Sequence, residues 1–335
     1  MKLSILTVSK TASNLNNLIR SIQKATKLPA TEIEILCSWN GTSEEEAKII
    51  NHSGLEFLIA QRESYHFSSN MNKLAEKTTS PTTLFISDDV ILDEGSIDAA
   101  INCLNSRPDA GIIGANLRYK NGNLSHAGAN FSFNHSAYQA LDNLIAADSG
   151  WLNSNREVPA VVGAFMLMSR SNFMKVKFNE SYQKLGEDTE LCLSIRKDLG
   201  LKIISCTQAS GIHVPETTRS ITEKQSDYHE DIARLRAYHF SFQNEGSKDD
   251  LLVELEFLRL ESHILRELIG GLAAKAKEPI SDTILSGEIE SLKRENIISM
   301  AQLTRIEIEK SYQEKENQKL ISKAQMLENR SSAMH

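Results

Sequence analysis

The chain has 335 residues, of which 40% are hydrophobic and 24% charged, and its formal net charge is −7. This length allows one large core with an appendage, or two domains, and the acidic balance excludes a general nucleic-acid binder. The apolar runs are too short for a membrane-spanning helix, so any membrane contact would be peripheral, at the inner face. The four cysteines lack zinc-type spacing, and we expect a cytoplasmic protein.

The N-terminal half of the sequence alternates short apolar stretches with stretches of helical periodicity. These patterns predict four strands, 2–8, 32–37, 55–60 and 83–86, and two helices, 14–25 and 68–76. The turn at 40–43 is also predicted to cap a helix, because Ser43 is followed three residues later by Glu46. Alternation at this pace predicts an α/β fold built from right-handed βαβ units.

Two adjacent carboxylates, Asp88 and Asp89, follow the fourth apolar stretch. Ligands of open α/β sheets bind beyond the carboxyl ends of the strands, and the loops after Val8, Cys37 and Ile86 are predicted to open there. Neighbouring carboxylates repel each other unless a cation is close, which favours Mg²⁺ or Mn²⁺ carried by substrate phosphates. The alternative is a helix N-cap with a charged neighbour.

The first of these loops, residues 9–13, contains no glycine. It therefore lacks the glycine-rich phosphate loop of a P-loop or dinucleotide-binding protein, and it speaks against a sugar nucleotidyltransferase. The phosphates of a bound nucleotide would have to be held mainly by a metal ion.

Seven segments then occur in an order that resembles a known family. They are LTVS at 6–9, NGTS at 40–43, FSSNMN at 67–72, SDDV at 87–90, LRYKNGNLSHAG at 117–128, VPAVVGAFMLM at 158–168 and LGEDTELCLSIR at 185–196. Together they resemble family-2 inverting glycosyltransferases, in particular the rhamnosyltransferase-like branch. The resemblance covers about residues 1 to 220 and implies the GT-A fold, a Rossmann-like, mostly parallel sheet flanked by helices.

The resemblance also implies roles for individual residues. Asp89 would bind the metal that bridges the donor diphosphate, with His213 as a further metal contact, and Asp188 would be the general base. Asp88 would face the ribose or a metal-bound water. The nucleoside would be lined by four polar residues, Thr7, Ser9, Asn40 and Asn72.

Two departures from the family pattern limit what it implies. Ser38 and Trp39 stand where many members carry an acidic residue that contacts the base, so the nucleobase, uracil or thymine, is left open. Val176-Lys177-Phe178 replaces the usual Gly-Gly-Phe, which leaves the detail of the acceptor loop open.

Several neighbouring polar residues have both a structural and a functional interpretation. Glu187, Asp188 and Glu190 suit the positive end of a helix dipole as ordinary first-turn acids, and Glu190 would either touch the acceptor or support its loop. His213 is either a metal ligand or a solvated loop histidine. Arg219 would either cover the diphosphate or lie on the surface. We expect His126 to hold the 118–129 hairpin.

The pattern of alternating strands and helices stops at Ser226. This change predicts a catalytic domain over 1–225 and a helical region over 226–335. A helix is predicted over 227–240 and a linker over 244–250. Apolar residues then repeat at alternating spacings of four and three, as in a coiled coil: Leu251, Leu255, Leu258, Leu265, Ile269 and Leu272. A weaker, charge-rich helix is predicted to follow, through Ile289, Leu292, Leu303 and Ile306. This region would form a homo-oligomer, a helical hairpin, a membrane-surface helix or packing helices for its own catalytic domain.

The sequence therefore predicts a metal-dependent inverting glycosyltransferase. Its donor would be a UDP- or dTDP-linked sugar, its cofactor Mn²⁺ or Mg²⁺, and its acceptor a growing glycan, lipid-linked or not, of a bacterial surface polysaccharide. The alternatives are an inactive scaffold that acts through its helical tail, and a sugar nucleotidyltransferase. The sugar, the linkage and the acceptor are left open.

Overall fold

A computed structural model describes residues 2–214 and 225–275 of the chain. The strands in this part are β1 Leu3–Ser9, β2 Ile33–Trp39, β3 Glu56–Arg62, β4 Thr82–Ile86, β5 Val90–Leu92, β6 Ala110–Arg118, β7 Leu124–His126, β8 Ala129–Phe131, β9 Ala137–Gln139, β10 Arg156–Glu157, β11 Phe165–Ser169 and β12 Lys202–His213. The helices are α1 Ala12–Ala25, α2 Ser43–Glu46, α3 Phe67–Lys77, α4 Ser96–Ser106, α5 Arg170–Val176, α6 Glu187–Leu199, α7 Gln225–Glu245 and α8 Lys248–Lys275.

Ten of these strands form one mixed sheet, which runs in the order β10-β12-β6-β11-β4-β1-β2-β3, with β5 and β7 attached to β12 and β6. Strands β3, β2, β1 and β4 are parallel to one another, whereas β11 runs antiparallel between β4 and β6. Helices cover both faces, so the central strands are buried on both sides and read as near-continuous apolar runs. The predicted α/β fold with a helical C-terminal part is confirmed.

Two layers of apolar side chains fix the helices on the sheet. On one face, α1 and α4 pack through residues such as Leu18, Ile22 and Ile97. On the other face, α3, α5 and α6 contribute Leu74, Phe173 and others. Because the sheet is held rigid between these layers, the loops at the carboxyl ends of its strands have a firm base.

Two local predictions are corrected. Thr42, not Ser43, caps α2: its Oγ1 accepts a hydrogen bond from the backbone N of Glu45 at 3.2 Å. The linker predicted over 244–250 is only Gly246 and Ser247, because α7 runs to Glu245 and α8 begins at Lys248. In the second case, Asp249 and Asp250, which suggested a linker, are helical, since acidic residues suit the first turn of a helix.

The contacts divide the chain into two compact units, Met1–Leu265 and Arg266–His335. Helix α7 and the first part of α8 thus belong to the same unit as the sheet, through contacts such as that of Phe242 with Phe131 and Leu193. The last described strand, β12, ends at His213 and α7 begins at Gln225, and the use of residue 225 as a domain boundary stays a prediction. In the part of the chain that the structure describes, every helix is too short or too polar to cross a bilayer.

Some predictions fall outside the described residues. These are Arg219 as a diphosphate contact and the charge-rich helix through Ile289, Leu292, Leu303 and Ile306. They stay predictions, and so does the coiled coil.

Candidate active site

A cleft of about 890 Å³ opens at the carboxyl edge of the sheet. The three loops after β1, β2 and β4 all contribute to it, with Ser9, Asn40 and Asp88 among the lining residues. The opposite wall comes from the β8–β9 hairpin and from the starts of α6 and α7. The topology explains this convergence, because parallel neighbouring strands end on the same side of a sheet.

Asp88 is held at the end of β4 by the first loop. Ser9 Oγ donates a hydrogen bond of 2.6 Å to Asp88 Oδ2. The side chain of Asn40 lies on the same cleft, and its Oδ1 is buried without a hydrogen-bond partner in the described chain. These three residues, which sequence patterns assigned to the nucleoside side, are therefore neighbours in space.

Asp89 and His213 are brought together by strand pairing. The short strand β5 pairs antiparallel with the end of β12, so that His213 lies opposite Val90 and the backbone N of Val214 donates to Asp89 O at 3.0 Å. His213 Nε2 and Asp89 Oδ1 are 3.5 Å apart, which is too long for a good hydrogen bond. Asp89 Oδ1 is buried and has no hydrogen-bond partner among the described residues.

The electrostatics of Asp89 favour its charged form. Burial raises the pKa of this carboxyl, but His213, Ser87 and the local backbone together outweigh burial and hold the pKa below its usual value. A buried carboxylate oxygen without a hydrogen-bond partner, facing an imidazole nitrogen, is a ligand pair that fits Mn²⁺ or Mg²⁺. Within residues 2–214 and 225–275, no group of three or more His, Cys, Asp or Glu side chains forms a complete metal site.

Asp188 lies on the other side of the cleft, at the start of α6. Its carboxylate is oriented by backbone groups: Gly163 N donates to Oδ2 at 2.7 Å and Thr189 N donates to Oδ1 at 2.6 Å. Gly163 is small for a reason, because a Cβ there would lie 3.2 Å from the Phe67 ring and 3.5 Å from Asp188. Asp188 and Asp89 therefore share one cleft, as the predicted chemistry requires.

Two residues assigned to the nucleoside by the family pattern do not line this cleft. Thr7 is fully buried within β1. Asn72 is a structural bridge: its amide donates to Phe178 O at 2.9 Å and to Glu180, and its Oδ1 accepts from Phe178 N at 3.0 Å. We therefore leave Thr7 and Asn72 out of the donor site proposed below.

The remaining polar residues of this region are likewise either structural or part of the cleft lining. Glu190 supports its loop, because Tyr182 and Asn179 donate to its two oxygens at 2.5 and 2.9 Å. His126 accepts a hydrogen bond from Val162 N at 3.3 Å, and burial lowers its pKa to about 3. It thus stays neutral and ties the 118–129 hairpin to the loop that precedes β11. Glu187 lines the cleft beside Asp188.

Sequence patterns missed two features of the site. Asp231 on α7 is fully buried and accepts hydrogen bonds from the backbone N of Gln183, Lys184 and Leu185, at 2.6 to 3.2 Å, so it fixes the loop that leads into Asp188. The β8–β9 hairpin supplies a wall of the cleft. Its strands have three residues each, too short for a periodic signal.

Comparison with known families agrees with this geometry. Residues 5–228 match the family model described as "Glycosyltransferase like family 2". The chain belongs to this glycosyltransferase family. The matched residues run from β1 into α7 and include Ser9, Asn40, Asp88, Asp89, Asp188 and His213, whereas Asp231 lies beyond them.

Among characterised relatives of this glycosyltransferase, the O-antigen biosynthesis protein RfbC of Myxococcus xanthus is 24% identical over 213 residues. The match covers 61% of this chain but only 16% of that protein. The chain therefore spans about a sixth of the length of this relative.

Two solved structures are similar in fold. The mannosyltransferase PcManGT from Pyrobaculum calidifontis, in complex with GDP-Man and Mn²⁺, is 12% identical with a TM-score of 0.54, covering 87% of this chain and 80% of that one. GalNAc-T7 with UDP, GalNAc and Mn²⁺ is also 12% identical with a TM-score of 0.54, covering 70% and 47%. At this identity the likeness concerns the fold, which is GT-A-like.

Proposed function

We propose that this glycosyltransferase moves one sugar, with inversion, from a nucleoside-diphosphate sugar to a glycan acceptor. The observation that carries the proposal is a single cleft lined by Asp89, His213 and Asp188. Asp89 and His213 would offer ligands for a cation, and Asp188 would offer a proton acceptor. Inverting transfer needs both, the leaving group and the base lying on opposite faces of the reacting carbon.

The donor site would be formed by Ser9, Asn40, Asp88, Asp89 and His213. Asp89 Oδ1 and His213 Nε2 would hold Mn²⁺ or Mg²⁺, which when bound supplies positive charge for the leaving diphosphate. Both relatives of known structure carry Mn²⁺, which supports a divalent ion here. Asp88, oriented by Ser9, would accept a hydrogen bond from the ribose or from an ordered water.

Asp188 would act as the general base. An acceptor hydroxyl is a weak nucleophile and must lose its proton as it attacks, and a fixed carboxylate can take that proton. The two backbone donors on Asp188 fix its orientation, so that little reorganisation is needed at the moment of attack.

The test of the cation site is the substitution Asp89→Ala. We expect the full-length protein to hydrolyse or bind a UDP- or dTDP-sugar in the presence of Mn²⁺, and Asp89→Ala to lose on the order of a hundredfold in this activity. Glu63→Ala is the control, because Glu63 is a surface acid paired with Lys73 outside the cleft. If the wild type neither binds nor cleaves any such donor with metal present, the proposal is wrong and a non-catalytic scaffold is favoured.

The biological setting is proposed from the relative that assembles O-antigen. The acceptor would be a growing bacterial surface polysaccharide, lipid-linked or free, and the enzyme would work in the cytoplasm, with any contact at the inner membrane face peripheral. Donor panels in a thermal-shift assay with Mn²⁺ would identify the nucleobase and the sugar class, which Ser38 and Trp39 leave open.

We also propose that two copies of the chain associate through α8. Its buried face carries Glu254, Phe257 and Ile264, whereas the predicted coiled-coil face is solvent-exposed. Three leucines of that face are each 38% to 42% exposed: Leu251, Leu255 and Leu258. Apolar side chains repeated at spacings of four and three match an identical helix from a second copy.

The test of this association is the double substitution Leu255→Glu with Leu258→Glu. Charges on the seam should convert a dimer into a monomer in light scattering, while Glu256→Gln beside the seam should leave the mass unchanged. A wild-type protein that is monomeric at micromolar concentration would rule the association out.

A further inference from the structure

The wall of the cleft opposite the cation site contains a histidine that a buried pair holds in place. His135 lies in the turn of the β8–β9 hairpin and lines the cleft. Its Nδ1 is 3.2 Å from Nδ1 of His239 on α7. Nε2 of His239 is in turn 3.2 Å from both carboxylate oxygens of Glu254 on α8.

In this series of three side chains, the inner two, His239 and Glu254, are held rigidly. His239 is fully buried, and its ring stacks on Phe131 with centroids 3.6 Å apart and planes 10° apart. Glu254 also accepts a hydrogen bond from Gln243 at 2.9 Å and lies 4.0 Å from the buried guanidinium of Arg196. With these donors around it, the carboxylate of Glu254 is an acceptor of hydrogen bonds.

For two neutral imidazole rings, these contacts determine where the protons lie. Glu254 accepts from Nε2 of His239, and the lone pair of His239 is then on Nδ1. His135 must therefore donate from its own Nδ1. The lone pair of His135 is left on Nε2, at the other edge of the ring.

The backbone and the charges around His135 agree with this arrangement. Its φ is 61°, in the left-handed region that residues other than glycine adopt at a cost, and such strain clusters at functional sites. Burial and His239 lower the pKa of His135, Glu254 raises it in part and Arg236 lowers it, and the balance is a pKa below the usual value. The ring is thus neutral at pH 7. It also packs edge-on against Phe240, with centroids 5.3 Å apart.

We propose that His135 is a sugar-binding residue, positioned by His239 and Glu254 so that its Nε2 accepts a hydrogen bond from a sugar hydroxyl in the cleft. This inference rests on the proposed function, and the hydroxyl belongs either to the donor sugar or to the acceptor sugar. A hydrogen bond with a fixed acceptor selects hydroxyl orientation, since a sugar with the hydroxyl placed elsewhere leaves Nε2 without a partner.

The positioning is tested by nuclear magnetic resonance on the full chain labelled with ¹⁵N-histidine. We expect His135 to carry its proton on Nδ1 and His239 on Nε2. The variant Glu254→Leu, which removes both acceptor oxygens, should abolish this fixed assignment. A proton on Nε2 of His135 in the wild type would overturn the proposal, and so would an assignment that Glu254→Leu leaves unchanged.

Sugar binding is tested on the same sample. Methyl glycosides of common hexoses and 6-deoxyhexoses, and UDP- and dTDP-sugars with Mg²⁺, should shift the ring signals of His135 but not those of His52, an exposed residue outside the cleft. If none of these probes shifts the His135 signals, the proposal is wrong. That result would leave the cation site untouched, because donor cleavage in the Asp89 variants is measured separately.

Substitutions of His135 identify which sugar it binds. If it binds the donor sugar, His135→Ala should weaken binding of the nucleotide sugar about tenfold but not binding of UDP or dTDP. If it binds the acceptor, nucleotide-sugar binding should be unchanged and the response to methyl glycosides lost. His135→Gln, which retains an acceptor atom, should restore part of the lost affinity. A variant His135→Ala that binds every probe as the wild type does would refute the role.

Discussion

The buried acids of this protein fall into two groups that the sequence does not distinguish. Around α7 and α8, each acid has its hydrogen-bond donors: Asp231 has three backbone N–H groups, Glu254 has His239 and Gln243, and Glu261 has the hydroxyl of Tyr138 at 2.6 Å. In the cleft, Asp89 Oδ1 is buried without such a donor. Buried polar atoms are nearly always hydrogen-bonded, and Asp89 Oδ1 lies in a cleft and 3.5 Å from His213 Nε2, which makes it a candidate ligand atom.

The comparison predicts opposite behaviour for substitutions in the two groups. Acids of the cleft should matter for catalysis and little for folding. Acids around α7 should matter for folding first, and for catalysis only through the loops they hold.

The largest effect is expected for Asp188→Asn. Amide for carboxylate preserves the size of the side chain but removes the proton acceptor, so transfer should fall by about 10² to 10⁴-fold. Donor binding with Mn²⁺ should stay close to the wild type, and the thermal midpoint should fall moderately, because the amide can accept from only one of the two backbone N–H groups. Transfer rates, donor titration and thermal unfolding measure these three quantities. If donor binding is lost together with transfer, Asp188 does not act as the base.

A substitution of Asp231 should affect stability first. Asp231→Ala leaves the backbone N–H groups of Gln183, Lys184 and Leu185 without their acceptor, which should cost on the order of 3 kcal/mol of unfolding free energy. Because this loop leads into Asp188, transfer should fall as well. Asp231→Asn keeps an acceptor oxygen and should lose less.

Urea unfolding of the two Asp231 variants measures the effect. Glu230→Ala, at an exposed position of the same helix, is the matched control and should unfold like the wild type. An Asp231→Ala protein of wild-type stability would break the distinction between the two groups of acids.

The smallest effect is expected at Asp93, a half-buried acid near the end of β5. Arg118 donates two hydrogen bonds to it, one of them 2.8 Å long, and Ser210 donates another of 2.6 Å. Arg118 is the main cause that holds the pKa of Asp93 below its usual value. Because the pair is partly exposed and screened by solvent, Asp93→Asn should cost only about 1 kcal/mol.

The difference in unfolding free energy between the wild type and Asp93→Asn should depend on pH with a definite sign. A carboxyl whose pKa is lower in the folded state stabilises the fold above the unfolded pKa of about 3.9. That contribution is lost as pH falls through the folded pKa. Urea unfolding of wild type and Asp93→Asn should therefore differ at pH 7 and converge in acid. A difference that grows on acidification would contradict the ion pair.

How much could be predicted from the sequence differs between fold and site. The first four strands, α1 and α3 follow from apolar runs and helical periodicity, because buried strands and amphipathic helices have a pattern of their own. The β8–β9 hairpin and the true start of α8 do not, since strands of three residues carry little periodicity and Asp249 and Asp250 suit both a linker and a helix start.

The sequence by itself determined the α/β architecture, the family and the position of the acids at strand and helix ends. These are local properties of patterns within a few residues. Only the tertiary structure decided which of these acids share the cleft, that Asn72 and Glu190 are structural, and that His135, His239, Glu254 and Asp231 support the cleft walls. The reason is that these contacts join residues 8 to 108 positions apart along the chain, and hydrogen-bond satisfaction exists only once separate segments are packed together.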